Sequence, residues 1–417
     1  MAGHCLNLDF EVVGIDDLSG GSVLDDTRRQ HIVMISDQFA SEVCDSTQPT
    51  LKKWTTGYMR DVSVVVPNWN GRELLEEFLP SIITAANRYH DEHGSDVQII
   101  VVDGGSTDRS LEWLLENYAD QSLVQIVSQK QNRGLIHTAN KGVAAARHAI
   151  VFLLNNDVSV DPDAIAPLVR HFDDESVFAV CPRAFRIGGS LLDGGGKLGY
   201  FKRGFWHVYR NYDILPTRLP NQPEPFDSFF ACSGYAAYDA AKFGALGGFS
   251  ELLAPMYWDD VEICYRAWKR GWTVHYEPAS VVHHKSGATM GKKHLRGAMN
   301  VVSERNRLLM NWVNLHDKLW LTSHIAWVTI KLLSAVASLN TTFLLAFWQA
   351  VVCLPNVKQA RRRERTATAA GRSDRDIAAL FAGLTARPWI AVLRNIQDYT
   401  QYLELRRRLE DEAARLQ

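Results

Sequence analysis

The stretch MYWDDVEICYRAWKRG, residues 256–271, places Asp259, Asp260 and Glu262 directly behind two aromatics, at the head of an amphipathic helical pattern. Acids in a first helical turn offset the positive end of the helix dipole, a task any carboxylate performs. A carboxylate held there can also take the proton of an attacking hydroxyl. A second group, FLLNNDVSVDPDAI, ends an apolar run in Asn155, Asn156 and Asp157. If the chain stays extended, Asn155 and Asp157 point to the same side. Their oxygens suit Mg²⁺ or Mn²⁺, with substrate phosphates completing the shell. An Asx turn that simply ends a strand uses the same residue types. A third group is VQIIVVDGGSTDRS, where Asp103 closes an apolar run and the glycines permit close approach of a ligand. Its carboxylate can accept from a nucleobase or ribose, while Ser106 or Thr107 can cap the next helix.

The elements around these residues must place them at one edge. VSVVVP is a β-branched run of the kind buried on both faces of a parallel sheet, followed by NWNGRELLEEFLPSI with helical spacing. VQIIVVD, LVQIVSQ and IVFLLNND read as further strands, with SLEWLLENYA and ANKGVAAARHA as helices between them. This alternation predicts an α/β fold with an open, mostly parallel, doubly wound sheet. Ligands of such sheets bind beyond the strand C-termini, where Asn68, Asn70, Asp103 and the Asn-Asn-Asp group fall. Residues 178–285, rich in glycine and aromatics, read as a less regular acceptor-facing half containing a WTVHYEP strand. The chain divides into a small, partly β extension (1–60), the α/β domain (61–295) and a helical C-terminal region (296–417).

A formal net charge of -2 over 417 residues gives no case for nucleic acid. Six scattered cysteines without CxxC spacing argue against a disulfide framework or zinc site, and for a reducing compartment. The first residues carry early acids and no long apolar run, unlike a secretory signal. From Leu319 to Leu354 the chain is heavily apolar and rich in tryptophan, but His324, Lys331, Asn340 and Gln349 interrupt it. No clean membrane span results. Trp320, Trp327, Phe343, Phe347 and Trp348, followed by Arg361, Arg362, Arg363 and Arg365, instead predict a helix lying in a membrane interface. A buried core helix followed by a solvated loop is the alternative.

The ordered set VSVVVPNWNG, VVDGGSTDRS, NRGLIHTANKG, FLLNNDVSVDPDAI, MYWDDVEICYRAWKRG and PASVVHHKSG resembles the inverting family 2 glycosyltransferases, of GT-A fold. The WDD, the later histidine and ERNRLLMNW look most like the rhamnosyl- and galactofuranosyltransferase subgroup. The resemblance implies that Asp103 binds the nucleotide base of a UDP- or dTDP-sugar, with Pro67, Asn68 and Arg133 around the nucleotide. Asn155, Asn156 and Asp157 stand where the family has its DxD motif. Asp157 is then the anionic ligand of Mn²⁺ or Mg²⁺, with His284, or failing it His283, as the imidazole partner. Asp260 falls at the catalytic base, Asp259 orients the acceptor, and Glu262 supports the helix start or binds acceptor hydroxyls. Trp258 stacks on a sugar, and one of Arg305 and Arg307 clamps the diphosphate, since residues two apart on a helix diverge. The resemblance and the apolar segment together predict a glycan or lipid-linked glycan acceptor, handled by a peripheral protein on the cytoplasmic face of the cell membrane; homo-oligomerisation stays open. Two other readings compete. One is a non-catalytic sugar-nucleotide or glycan-binding homologue that assists assembly. The other is a sugar nucleotidyltransferase, which wants a basic glycine-rich loop that PNWNGREL does not supply.

Overall fold

In the computed structural model, residues 60–189, 191–214, 226–285, 293–368, 370–387 and 390–393 are described, with short pieces at 403–404 and 407–408. The expected N-terminal extension lies outside the described residues.

The chain alternates strands and helices from the start: β1 (Val62–Asn68), α1 (Arg72–His93), β2 (Val97–Asp103), α2 (Ser110–Tyr118), β3 (Val124–Ser128), α3 (Leu135–Ala145) and β4 (Ile150–Leu154). Every residue of β1, β2 and β4 is buried, which is why their sequences run apolar without alternation. The order β3-β2-β1-β4 is the predicted doubly wound arrangement, parallel throughout. Pro67 sits within β1 opposite Val102, beyond Val65, where pairing with β4 ends. A residue without an N–H is tolerated at that position.

The second half is more regular than its composition suggests. It contains β5 (Val158–Val160), α4 (Ile165–Arg170), β6 (Val177–Arg186), β7 (Leu192–Gly194), β8 (Gly196–Lys202), β9 (Phe205–Ile214), β10 (Phe226–Asp227) and β11 (Tyr235–Asp239). Next come α5 (Ala240–Ala245), α6 (Asp259–Lys269) and β12 (Thr273–His284). WTVHYEP and PASVVHH form one strand, β12, which continues past an irregularity between Glu277 and Val281. The glycine-rich segment forms β8 and β9, a separate small sheet. Close backbone approach required those glycines: a Cβ on Gly196 would lie 2.2 Å from the Tyr212 ring.

The C-terminal region is helical, as expected: α7 (Lys293–Asn314), α8 (Lys318–Ala337), α9 (Thr341–Val352), α10 (Leu354–Ala367) and α11 (Asp374–Thr385), closed by β13 (Ile390–Leu393) on β9. It grips α6 through buried charges. Lys269 Nζ lies 2.6 Å from Asp374 Oδ1, both side chains being buried. The Tyr265 hydroxyl also donates to Asp374, whose other oxygen accepts from the His316 and Asp317 backbone N–H groups at 2.7 and 2.6 Å. Removing one partner of such a pair strands the other in low dielectric, at a cost of about 3–5 kcal/mol. Asp374→Asn is therefore expected to lower unfolding free energy by that amount in urea titrations. A loss below 1 kcal/mol would show that the pair does not hold α6.

Candidate active site

The C-terminal ends of β1, β2 and β4 are tied together by side chains. Asn68 Nδ2 donates to Asp103 Oδ1 at 3.4 Å, and its Oδ1 accepts from Asn156 Nδ2 at 2.6 Å. Asp103 Oδ2 accepts from the Gly105 and Ser106 N–H groups at 3.1 and 3.0 Å, so much of its capacity closes its own turn. Neither Ser106 nor Thr107 caps α2. Arg109 occupies that position in a left-handed conformation, and Asp108 accepts from the Ser110 N–H at 3.0 Å. Trp69, absent from the sequence-based assignment, is exposed on this rim, its Cβ beside Gly104.

The Asn-Asn-Asp group does not stay extended. β4 stops at Leu154, the Val158 N–H returns to the Asn155 carbonyl at 3.3 Å, and the three residues make a turn. Asn155 therefore faces Gly234, whose carbonyl accepts from the Asn155 N–H at 2.8 Å, while Asp157 is buried and faces β12. Asp157 Oδ1 lies 3.4 Å from His284 Nε2 and is buried without a hydrogen-bond partner. His284 Nδ1 meets Asp193 Oδ2 at 2.8 Å. Burial pulls the His284 pKa down, but the nearby carboxylates of Asp157 and Asp193 outweigh it and raise the group to about 9. His283 is on the other side of the strand, at 3.1 Å from Asp161 Oδ1. Neighbouring strand residues face opposite ways. The structure thus brings His284, not His283, to Asp157.

A short segment, Ala231–Tyr235, joins this turn to the acids of α6. Gly234 abuts Asn155, Tyr235 packs edge-on to His284 with ring centroids 5.8 Å apart, and the Ser233 side chain hydrogen-bonds Asp259. The Ser233 backbone bonds Asp260. Burial, partly offset by that Ser233 bond, raises the Asp259 carboxyl. Asp260 keeps part of its surface open. Burial and the adjacent Asp259 charge push it up to about 7.

One neighbouring assignment needs correction, and the structure narrows the others. Trp258 is 3% exposed and packs in the core, so it presents no open face to a sugar; Tyr257, 38% exposed, stands at the rim instead. Glu262 is buried and committed to Arg266 at 2.8 Å and to Asn314 Nδ2 at 3.2 Å. It supports the helix rather than the acceptor. Arg305 and Arg307 diverge, as their spacing requires. Arg305 donates to the Ala254 carbonyl, and the Arg307 guanidinium lies over the Phe205 ring at 4.5 Å. Pro67 is buried inside β1. Arg133 is exposed before α3, 3.3 Å from His137.

The loop that delivers Tyr257 and the acids is held by a residue the sequence did not single out. Asn306 Nδ2 donates to the carbonyls of Leu253, Met256 and Tyr257 at 2.6, 2.9 and 2.9 Å. Gly134 lets the Asn-Arg-Gly turn close on Pro255, where a Cβ would sit 2.7 Å away, and its φ of +92° is itself unfavourable for other residues.

Residues 63–247 match the model of Glycosyl transferase family 2. Over those residues the chain is similar to the family 2 glycosyltransferases. The match stops ahead of Asp259, so α6 and His284 lie outside it. Among curated proteins, the O-antigen chain rhamnosyltransferase RfbN of Salmonella typhimurium is 27% identical over 232 residues, 55% of this chain and 67% of RfbN. Polypeptide N-acetylgalactosaminyltransferase 6 of Mus musculus is 23% identical over 233 residues, 54% of this chain. The chain spans only 38% of that mouse protein. Among solved structures, GalNAc-T7 with UDP, GalNAc and Mn²⁺ superposes with a TM-score of 0.50 at 21% identity, covering 62% of this chain and 49% of that one. The α/β domain thus has the expected GT-A-like fold, with the helical region following it.

Proposed function

We propose that the protein is an inverting glycosyltransferase of the rhamnosyl- or galactofuranosyltransferase kind. It would move a sugar from a UDP- or dTDP-sugar to a glycan or lipid-linked glycan at the cytoplasmic face of the cell membrane. The observation that carries the reading is the junction at Ser233 and Gly234, which sets Asp260 beside the turn bearing Asp157. Asp260 is the general base: half-buried and raised toward neutrality, it takes the acceptor hydroxyl's proton as that oxygen attacks the anomeric carbon. Asp259, expected to orient the acceptor, is as buried as Trp258; fixed by Ser233, it braces the helix start that carries Asp260 instead. Asn68 and Asp103 hold the β1 and β2 turns against the nucleotide, with Trp69 and Arg133 at the rim.

Asp157 and His284 fit a hard divalent cation. An orphaned buried carboxylate oxygen faces an imidazole whose Nε2 proton a cation would displace, and this oxygen-nitrogen set suits Mn²⁺ or Mg²⁺. Among the described residues no group of three or more His, Cys, Asp or Glu could hold a metal, so phosphate oxygens and water would complete the shell. When bound, the cation supplies Lewis-acid balance for the departing diphosphate. Full-length protein incubated with a panel of nucleotide sugars and Mn²⁺ should release nucleoside diphosphate from one of them, read by mass spectrometry. Tight binding with no release would favour the non-catalytic reading, and pyrophosphate release the nucleotidyltransferase.

A further inference from the structure

The α8–α9 hairpin presents an apolar face that nothing among the described residues covers. Leu319, Leu333, Leu339 and Trp348 are 69, 66, 80 and 64% exposed. From Leu319 to Val352 every exposed position is uncharged, Lys331 being turned inward onto Glu304 at 3.3 Å. On α8, Leu319, Ile325, Ile330, Leu333 and Val336 fall within one side of the helix at 3.6 residues per turn. Scattered exposed apolar residues are ordinary, but a continuous face of this kind marks a binding surface.

The opposite side of α8 is fastened to the α/β domain along its length. Trp320 stacks on Phe201 with ring centroids 4.2 Å apart, His324 bonds the Gly204 carbonyl at 2.6 Å, and Val328 and Ala335 are buried. By length and composition alone α8 is long and apolar enough to cross a membrane. Crossing would carry β8 and β9, with their polar groups, into hydrocarbon. A helix fixed along one side and bare along the other is built to lie in the plane of an interface.

Charge identifies the partner. Immediately after the apolar face, α10 exposes Lys358, Arg362, Arg363 and Arg365, and Arg203 stands over Trp327 of α8, its guanidinium 5.6 Å from the ring. Arg361 does not belong to this set; it donates to the Trp312 carbonyl at 2.7 Å and serves the fold. We infer that the α8–α9 hairpin docks in the plane of an anionic lipid bilayer, its apolar face inserted and the α10 cations on the headgroups. This rests on the proposed acceptor reading only for its purpose; the lipid binding itself requires no catalysis.

The test is flotation of full-length protein with vesicles of phosphatidylcholine alone or with 30% phosphatidylglycerol (a composition of about that order exposes strong anionic charge). Wild type should float with anionic vesicles at low salt and be only partly released by high salt, since apolar insertion is not screened. Lys358, Arg362, Arg363 and Arg365 replaced together by Gln should weaken anionic binding by more than about a hundred-fold, four cations at about five-fold each multiplying to roughly 600-fold. Leu333→Glu with Trp348→Glu should abolish flotation on both vesicle types. Because all six positions are exposed, hydrolysis of a soluble nucleotide sugar should be unchanged, which separates failure of docking from failure of the enzymatic reading. Wild type that stays unbound to anionic vesicles at low salt overturns the inference. So does a dimer in sedimentation that Leu333→Glu disperses, for a second copy then covers the face.

Discussion

Asp260→Asn should lower kcat by about 10² to 10⁴, the range for losing a general base, while affinity for the nucleoside diphosphate stays within about two-fold. The amide keeps the side chain's size and its bond from the Val261 N–H at 2.8 Å, so the loss would report proton transfer rather than collapse of the helix start. Two further readouts separate these. Burial and the Asp259 charge raise the Asp260 pKa to about 7, so the base must lose a proton before it works. The wild-type rate should rise with pH up to a plateau above about 7, and that acid limb should vanish in Asp260→Asn. The apparent value belongs to the Asp259–Asp260 pair, which titrates together. Linkage gives the second. A carboxyl whose folded pKa lies above its unfolded value binds more protons when folded, so its contribution to stability is lost as pH rises between those values. The neutral amide removes that penalty, and at pH 8 the inactive variant should melt no lower than wild type. Wild-type-like transfer by Asp260→Asn would end its assignment as the base.

What the sequence made legible was the set of elements whose local pattern and tertiary environment agree. β1, β2 and β4 are buried on both faces, and their largely apolar runs can mean little else in an alternating chain. The ends of those strands followed, which is why Asn68, Asp103 and Asp157 all reach one edge. The misreadings arise where backbone conformation overrides residue type. Tyr257 and Trp258 both adopt positive φ, 73° and 67°, which turns Trp258 into the core and leaves Tyr257 at the rim. Nothing in a Tyr-Trp pair announces a left-handed turn, since bulky residues rarely adopt one. Glu262 was legible in principle: Glu262 and Arg266 are four apart on a helix, the spacing of an ion pair. Asn306 and the Ala231–Tyr235 segment were not, because their role lies in contacts 26 or more residues distant. Ordinary amides and serines carry no signal of that kind.

Chelation should have the largest effect of all. Dialysis against EDTA is expected to reduce sugar transfer to background, and Mn²⁺ or Mg²⁺ to restore it, because two negatively charged phosphates must leave beside the carboxylate of Asp157. Asp157→Ala should remove the orphaned oxygen and abolish Mn²⁺ binding measured by electron paramagnetic resonance, without a nucleotide sugar present. Asp193→Asn offers a finer test. Asp193 meets His284 Nδ1 at 2.8 Å and so fixes the ring with Nε2 toward Asp157. Arg186 holds the other Asp193 oxygen at 3.3 Å. Partners of this kind orient a ligating imidazole, and their loss costs about 10- to 100-fold in metal affinity. His283→Ala, on the far side of β12, should leave Mn²⁺ affinity unchanged, because its ring faces Asp161. Full transfer activity in excess chelator would remove the cation from the mechanism. Asp157 and His284 would then be a buried ion pair that pins the strand-end turn to β12, and diphosphate charge would have to be met by arginine instead.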